Sequence, residues 1–390
     1  MQGLRQVTGI CAVSVLLGFS ICVQAGEKVP SSGKIAEIFK PYVEKHELGG
    51  AVTLVADAEK ILDVTTVGWA DVAGEKPMRA DSIFWIASQS KPITGAALMI
   101  LVDEGKVNVD DPVEKYLPEF KDQWLSVEQD KDHVLLKKPK HPITVKNVLT
   151  HTSGLPFKSA LETPTLDLYN LEARVKSYAM TPLQFEPDTK YQYSNAGINT
   201  AGRIIEVVSG MPYEKFLEER LFKPLGMKNT TFFPTSRQIK RIAKAYKPNA
   251  AKMDLEVTNI EQLKYPLDSK DRYPMPAGGL FSTAEDVSRF YRMVLNGGIL
   301  EGKRVLSEEA VKQMTSKQTG DLQSTYGFGF VSNEKYIGHG GAYSTDSNID
   351  RERKLISIFL VQQAGWRSEE GKKIHSVFMK AAAEMFGQKQ

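Results

Sequence analysis

The chain has 390 residues, 42% of them hydrophobic, and its 50 basic and 47 acidic side chains give a formal net charge of +3. This length and apolar content allow a large buried core in one large domain or two interleaved ones. A charge so near balance argues against nucleic acid as the main partner.

A secretory signal peptide is predicted over residues 1–25. Arg5 supplies the basic start, the apolar stretch ICAVSVLLGFSICV follows, and Val23-Gln24-Ala25 fits a small-residue cleavage site. A membrane anchor is the alternative, but the apolar stretch is short for a span. Both cysteines, Cys11 and Cys22, lie in this segment. We therefore expect a mature chain of net charge +2, without disulfides, in the periplasm or secreted.

The first part of the mature chain begins with a helix and two strands. Residues 34–47 carry a helical apolar pattern, and residues 50–72 alternate and are rich in Val, Thr and Ile, which predicts two strands joined by a turn at 58–60. Residues 93–102 are apolar almost all round, which predicts a central buried helix. The charged segment 119–142 is typical of a solvated insertion or an exposed hairpin.

Helical patterns dominate from residue 144 to about residue 318, for example at 213–222 and 284–298. Strand patterns then return, and a final amphipathic helix is predicted over 369–386. The late strand patterns cover residues 326–333, 336–350 and 354–363.

Strands at both ends with helices between them predict an α+β fold in which the two chain ends share one sheet, flanked by terminal helices. The sheet lobe is expected to span roughly residues 30–80 and 320–390. A mainly helical lobe is expected to span roughly residues 88–318. A cleft between two such lobes is the usual place for a site.

The spacing Ser-x-x-Lys occurs three times, at Ser31/Lys34, Ser88/Lys91 and Ser332/Lys335. Only Ser88 heads an apolar helix, and Pro92 fits the first turn of that helix. A serine nucleophile needs a nearby base, and a lysine serves if burial lowers its pKa from about 10.4. The competing interpretation makes Ser88 a helix cap and Lys91 a surface residue with its amine in solvent.

Two further motifs favour catalysis. Tyr193-Ser194-Asn195 is the only Tyr-x-Asn in the chain and precedes a helical pattern. Gly338-His339-Gly340-Gly341 lies in a strand pattern, where glycines weaken pairing unless something must approach the backbone.

In this order along the chain, the three motifs resemble those of the serine β-lactamase and penicillin-binding-protein superfamily. The class C-like branch, with its family VIII esterases and D-amino-acid peptidases, is the most similar. The stretches ITVKNVLTHTSGL (143–155), FEPDTKYQYSN (185–195) and PAGGLFSTAEDVSRF (276–290) fit the same branch. The resemblance covers roughly residue 35 to the C-terminus. It implies a β-lactamase/transpeptidase-like fold with an antiparallel sheet, and a single catalytic domain over residues 26–390.

The resemblance also implies roles for individual residues. Ser88 would be the acylated nucleophile and Lys91 its base, while Tyr193 would relay protons and activate the deacylating water. Asn195 would bind the amide or carbonyl side of the substrate. The oxyanion hole would be formed by the backbone N–H groups of Ser88 and Ala342.

The third motif departs from the pattern of β-lactamases. His339 stands where they usually have lysine, Gly340 where they often have threonine, and Ala342 in place of a common serine; Gly341 is retained. Because histidine is mostly neutral at a pH of about 7.5, uncharged esters should be cleaved better than cephalosporins. Activity on anionic substrates is expected to rise as the pH falls toward about 6, where His339 would gain charge.

The predicted function is therefore exported serine hydrolysis of a carboxylic ester or amide through an acyl-enzyme, without a cofactor. Small esters, amides or cell-wall-like molecules are the expected substrates, with no nucleic-acid partner and no membrane span after signal removal. One alternative is a class C-like β-lactamase or D-alanyl-D-alanine carboxypeptidase. Another is a penicilloyl-binding sensor that is acylated without turnover.

Other residues have simpler interpretations. His151 is expected to be a structural hydrogen-bonding residue, and the remaining histidines lack the spacing of a zinc site. The chain has no Gly-x-Ser-x-Gly and no phosphate-binding glycine loop, which disfavours α/β-hydrolase and nucleotide-binding folds. Phe84, Trp85 and Trp366 are expected either to line the cleft or to pack in the core.

Overall fold

The computed structural model describes residues 33–387, so the predicted signal peptide lies outside the described part of the chain. The strands are β1 (Gly50–Ala56), β2 (Ile61–Asp71), β3 (Lys76–Pro77), β4 (Phe84–Trp85), β5 (Leu125–Gln129), β6 (Val134–Lys137), β7 (Ala245–Pro248), β8 (Leu255–Thr258), β9 (Phe281–Ser282), β10 (Ile299–Leu300), β11 (Lys303–Arg304), β12 (Val331–Ser332), β13 (Tyr336–Gly340), β14 (Asp346–Asp350) and β15 (Leu355–Val361). The helices are α1 (Lys34–Glu44), α2 (Ser90–Asp103), α3 (Val145–Thr150), α4 (Leu171–Ala179), α5 (Asn195–Ser209), α6 (Tyr213–Leu217), α7 (Lys223–Leu225), α8 (Ser236–Ile239), α9 (Ala284–Leu295), α10 (Glu308–Thr315), α11 (Glu369–Lys372) and α12 (Ile374–Phe386).

A seven-stranded antiparallel sheet in the order β12-β13-β14-β15-β1-β2-β3 joins the two ends of the chain. The ends meet where β1 pairs with β15, with Ala51 opposite Val361 and Ala56 opposite Ile356. Every residue of these two strands is buried, because helices cover both faces of the sheet. The predicted antiparallel sheet, built from both chain ends and flanked by terminal helices, is thus confirmed.

The two faces of the sheet bury separate cores. On the outer face α1 and α12 pack against β15, where the Phe39 ring lies 5.9 Å from that of Phe359 and 6.1 Å from that of Phe378. On the inner face Val52 and Leu54 belong to the larger core formed with α2 and the helical lobe. Alternate side chains of a strand point to opposite faces, so β1 contributes to both cores.

Helix α2 runs through the centre of the molecule and is longer than the predicted 93–102. Its residues are buried continuously from Ser90 to Leu101, as expected for a helix that is apolar all round. It packs against α5 and α10. At Gly95 an added Cβ would lie 2.3 Å from the carbonyl oxygen of Phe328, so the absence of a side chain lets the backbone of residues 326–330 lie directly on the helix.

This close packing explains why the predicted strand over 326–333 is mostly absent. Only Val331 and Ser332 join the sheet, as β12, and Tyr326 makes an isolated bridge to Val331. Gly329 has φ 84° and an added Cβ there would lie 2.4 Å from the carbonyl oxygen of Lys91. The segment is therefore held against α2 instead of extending the sheet, since glycine alone tolerates both the left-handed backbone and the contact.

Three other predicted elements are refined by the structure. The charged segment 119–142 contains the hairpin β5–β6, with β6 fully exposed. The helix predicted over 213–222 has a π-helical turn at Glu218–Phe222, and the final helix is two helices, α11 and α12. Between residues 33 and 387 no helix is both long and apolar enough to cross a membrane.

Candidate active site

Ser88 lies in a short 3-10 turn, Ala87–Gln89, between β4 and α2. It therefore precedes the buried helix by one turn and does not open it. Ala87 has φ 46°, in the left-handed region that costs an alanine roughly 1–3 kcal/mol. The hydroxyl of Ser90 donates to the Ala87 carbonyl oxygen at 2.7 Å and helps to hold this backbone. Ser88 is half-buried, whereas its two neighbours in the turn are buried.

The amine of Lys91 is fully buried next to Ser88. Its Nζ lies 3.2 Å from Ser88 Oγ, 2.8 Å from Asn195 Oδ1 and 2.6 Å from the carbonyl oxygen of Ala277. The two carbonyl oxygens only accept hydrogen bonds, so the amine donates to both. Burial lowers the pKa of Lys91 well below its usual value. Once deprotonated, the amine has two N–H bonds for the two carbonyls, which leaves its lone pair for the Ser88 hydroxyl 3.2 Å away.

Tyr193 covers the other side of this amine. Its ring centroid lies 4.6 Å from Lys91 Nζ, and its hydroxyl is hydrogen-bonded to Ser88. Burial raises the pKa of Tyr193, and the hydrogen bond with Ser88 offsets only part of that rise. Tyr193 is therefore a phenol at neutral pH. Of the two groups beside Ser88, the lysine, whose pKa is lowered by burial, is the one able to accept its proton.

The start of α5 fixes both members of the Tyr-x-Asn motif. Ser194 caps the helix by accepting from Gly197 N–H and donating to the carbonyl oxygen of Pro156. Asn195 is the first helical residue, and its backbone N–H donates to the carbonyl oxygen of Phe157 at 3.0 Å. Its side-chain oxygen faces Lys91. A helix N-terminus thus holds the second motif against the first.

The glycines of the third motif bring β13 against the turn that carries Ser88. An added Cβ at Gly341 would lie 2.5 Å from the carbonyl oxygen of Ile86 and 3.3 Å from Ala87 Cβ, so any side chain would push the two segments apart. Gly340 ends β13 opposite Asp346. Ala342 follows in a 3-10 turn, Ala342–Ser344, and the structure places it beside the Ser88 turn.

His339 is buried, and both ring nitrogens have partners. Nδ1 lies 2.5 Å from the carbonyl oxygen of Gly340, which fixes the proton on Nδ1, and Nε2 accepts from the Tyr326 hydroxyl at 3.0 Å. Burial, with a smaller contribution from the neighbouring Lys91, lowers the pKa of His339 to about 3. The prediction that His339 gains charge as the pH falls toward 6 is therefore wrong, because the neutral ring is already fully bonded in a site that disfavours charge.

His151 lies behind Tyr193. Its Nδ1 accepts from the Ser194 N–H at 3.1 Å, and its ring centroid lies 4.6 Å from that of Tyr193 and 4.7 Å from that of Tyr326. Burial lowers the pKa of His151 well below its usual value. These contacts fit the structural role predicted for His151. Tyr326 was missed by the sequence reasoning, although it begins the glycine-rich YGFGF stretch that packs on α2.

The other candidates lie outside this cluster. Ser332 is buried at the sheet edge and donates to the carbonyl oxygen of Thr315 at 2.6 Å, while Lys335 is exposed. Ser31 is outside the described residues. Phe84 is a core residue, and Trp366 packs on the outer core of α1 and α12. Trp85 is buried with its Nε1 donating to the carbonyl oxygen of Gly278 at 2.7 Å.

Metal-binding side chains are not grouped at this site. Across residues 33–387, no three or more His, Cys, Asp or Glu side chains are placed to hold a metal ion. The groups next to Ser88 are instead an amine, a phenol, an amide and a backbone turn. These groups suit catalysis by a nucleophilic hydroxyl with an adjacent nitrogen base.

Comparison with known proteins agrees with the motifs. The beta-lactamase family model matches residues 35–378. Protein Rv1367c of Mycobacterium tuberculosis is 31% identical over 358 residues, which cover 81% of this chain and 86% of that protein. Esterase EstB of Burkholderia gladioli is 27% identical over 371 residues, covering 85% of this chain and 91% of the esterase.

A solved structure shows the same fold. EstCE1, a hydrolase with promiscuous acyltransferase activity, superposes with a TM-score of 0.73 at 22% identity, over 89% of this chain and 97% of that one. The predicted resemblance and the predicted α+β fold class are confirmed.

Proposed function

Since the chain belongs to the beta-lactamase family and is a serine hydrolase of esters or amides, we propose that it is exported and forms its acyl-enzyme on Ser88. The observation that carries the assignment is the bonding of Lys91. Its Nζ donates to two carbonyl oxygens and lies 3.2 Å from Ser88 Oγ, so loss of one proton from the ammonium leaves a lone pair for the Ser88 hydroxyl.

In the acylation step, Lys91 takes the Ser88 proton as Ser88 Oγ attacks the substrate carbonyl. The negative charge that develops on the carbonyl oxygen is bound by the backbone N–H groups of Ser88 and Ala342. Collapse of the tetrahedral intermediate releases the alcohol or amine, which receives a proton through Tyr193. The Tyr193 hydroxyl is suited to this relay because it is protonated and bonded to Ser88.

In the deacylation step, water attacks the acyl group and passes its proton through Tyr193 to Lys91. Ser88 then leaves with a proton, which restores the starting state. Asn195 directs its oxygen to Lys91, so its side-chain amide N–H groups are the ones that bind the carbonyl side of the substrate.

The substrate class follows from the charge of the site. His339, His151 and Tyr193 are all neutral at physiological pH, and Lys91 is neutral when it acts as the base. A carboxylate beside the scissile bond therefore gains no fixed positive partner from these groups. We propose that the preferred substrates are esters and amides without a charged group beside the scissile bond, such as short-chain esters.

The mature protein, treated with a fluorophosphonate probe and then assayed on an ester and β-lactam panel, tests this proposal. We expect labelling at one site, steady turnover of p-nitrophenyl acetate and butyrate, and slow or negligible cleavage of nitrocefin. Faster cleavage of nitrocefin than of the esters at mildly alkaline pH would establish the β-lactamase alternative. A burst without turnover would establish the sensor.

Export rests on the first 25 residues. They have the basic, apolar and small-residue segments of a secretory signal. When the full chain is expressed in a bacterium, the protein outside the cytoplasm is expected to begin at Gly26 by N-terminal sequencing. A cytoplasmic product that retains Met1 or Gln2 would contradict export and leave the hydrolase assignment standing.

A further inference from the structure

A row of buried polar groups lies behind Lys91, on the side away from Ser88. Ala277 is its first member, and its carbonyl oxygen accepts from Lys91 Nζ at 2.6 Å. The backbone N–H of the same residue donates to Asn199 Oδ1 at 3.1 Å. Asn199 Nδ2 lies 3.2 Å from Glu162 Oε1 and 3.0 Å from the Tyr178 hydroxyl. Asn199 thus connects the lysine's acceptor to a carboxylate in the helical lobe.

The backbone at Ala277 needs external support. Two glycines follow it, and their backbones are free to adopt conformations closed to other residues. Its neighbours are held from outside: the Pro276 carbonyl accepts from the Thr94 hydroxyl at 2.8 Å, and the Gly278 carbonyl accepts from Trp85 Nε1 at 2.7 Å. At Ala277 itself, the backbone N–H donates to Asn199 Oδ1, and this bond holds the peptide group in place.

Glu162 fixes which way the Asn199 amide points. The carboxylate is fully buried, and its oxygens accept from Ser159 N–H at 2.9 Å and from the Asn199 side chain. Arg174, also fully buried, lies 3.8 Å away and balances its charge. The Ala277 N–H only donates, so the oxygen of Asn199 faces Ala277 and its NH2 group faces Glu162. Burial raises the pKa of Glu162, and the neighbouring Arg174 opposes that rise.

We propose that Asn199, oriented by Glu162, is a positioning residue for the reaction at Ser88. By holding Ala277, it positions the carbonyl oxygen that accepts one N–H of Lys91. The amine is thereby oriented so that, when deprotonated, its lone pair is directed to the Ser88 hydroxyl. This inference rests on the proposed function, in which Lys91 is the base.

The expected effect on pH dependence has a definite sign. A carbonyl acceptor stabilises the ammonium form of Lys91 more than the amine, so its loss lowers the lysine pKa. The titratable groups that face Lys91 are Tyr193, His151 and His339, with Tyr326 behind them. All four are neutral near pH 7 and do not move this limb of the profile.

The test uses Asn199→Ala in the mature protein with p-nitrophenyl butyrate. We expect kcat to fall by about 10–100-fold with KM within about twofold, since a misaimed reacting group costs on this scale. The acidic limb of the kcat/KM profile is expected to move to lower pH by about 0.5–1 unit.

Thr200→Val is the matched control. Thr200 is the next residue of α5, is equally buried, and donates only to the Ala196 carbonyl of its own helix at 2.8 Å. This variant is expected to keep the wild-type kcat and pH profile, with a comparable loss of thermal stability.

An exchange of donor and acceptor gives a rescue. Glu162→Gln alone and Asn199→Asp alone each disturb the bond between the two side chains. The double variant Glu162→Gln/Asn199→Asp reverses the direction of that bond, keeps the same number of negative charges and leaves an acceptor for the Ala277 N–H. It is expected to recover most of the kcat lost by either single variant.

The outcomes distinguish failure of the role proposed for Asn199 from failure of the proposed function at Ser88. If Asn199→Ala matches Thr200→Val in kcat and in the acidic limb, or if the double variant is no better than the single ones, Asn199 is not a positioning residue. Loss of fluorophosphonate labelling in Asn199→Ala together with loss of circular dichroism would show a folding defect, and the double variant then decides. If Ser88→Ala keeps activity, the proposed function itself is wrong.

Discussion

Two Ser-x-x-Lys pairs lie within the described chain, with one spacing and opposite surroundings. At Ser88/Lys91 the lysine is buried and bonded to two carbonyls and the serine. At Ser332/Lys335 the serine is buried and already donates to the Thr315 carbonyl, while the lysine is exposed. The motif thus specifies two side chains but not their chemistry. Burial, which disfavours the ammonium form, is what allows a lysine to act as a base.

The largest difference between the pairs is expected at the serines. Ser88→Ala should abolish both ester hydrolysis and fluorophosphonate labelling, because it removes the nucleophile. Ser332→Ala should retain both, with at most a stability loss from the bonds to Thr315 and Arg351. Mass spectrometry of the labelled peptide checks the site directly. Labelling that survives in Ser88→Ala would mean that a residue other than Ser88 is the nucleophile.

The lysines should differ next. Lys91→Ala and Tyr193→Phe are each expected to lower kcat by roughly 10²–10⁴, the usual range for acid–base groups, whereas Lys335→Ala should not change kcat. The double variant of Lys91 and Tyr193 should lose far less than the product of the single losses, since the two act on one proton. Steady-state kinetics with p-nitrophenyl acetate measure this, and fully multiplicative losses would show two independent roles.

Burial around Ser88 should also appear in the pH dependence of stability. The pKa of His339 is about 3 in the folded chain and about 6.5 when unfolded, so between these values the unfolded state binds more protons. The free energy of unfolding therefore falls as the pH falls below about 6.5, by up to about 1.4 kcal/mol per pH unit for such a histidine.

His339→Gln should reduce that dependence, because it removes one of the two buried histidines, His339 and His151, that take up a proton on unfolding. Urea unfolding midpoints at pH 7.5 and pH 5, for the wild type and the variant, give the comparison. His133→Gln, at an exposed histidine, provides the control for loss of a histidine side chain. Equal slopes in the wild type and His339→Gln would show that His339 is charged in the folded chain.

The smallest expected effect concerns substrate charge. His339→Lys would place an amine where the wild-type ring is neutral, and a partly desolvated charge pair is worth somewhat more than the ~0.2–1 kcal/mol of an exposed one. The ratio of kcat/KM for nitrocefin to that for p-nitrophenyl butyrate is expected to rise several-fold. A ratio that stays the same or falls would show that the residue at position 339 does not determine the preference for uncharged substrates.

Local patterns in the sequence determined much of the architecture. The alternation over 50–72 became β1 and β2, the apolar run at 93–102 became the centre of α2, and the ordered motifs identified Ser88, Lys91 and Tyr193 as neighbours. These features depend on residues close in sequence, so periodicity and turn chemistry reveal them. The extent of β12 was mispredicted, because contacts of Gly327 and Gly329 with α2 and α10 replaced strand pairing.

Only the tertiary structure decided the protonation states and the orientations of the side chains at the site. The carbonyl of Ala277 meets Lys91 across 186 positions of sequence, and Asn199 and Glu162 support it from the helical lobe. His339 was expected to titrate near its usual pKa, yet burial beside Tyr326 keeps it neutral. A residue type fixes which bonds a side chain offers, but desolvation and long-range partners decide which of its charge states is stable.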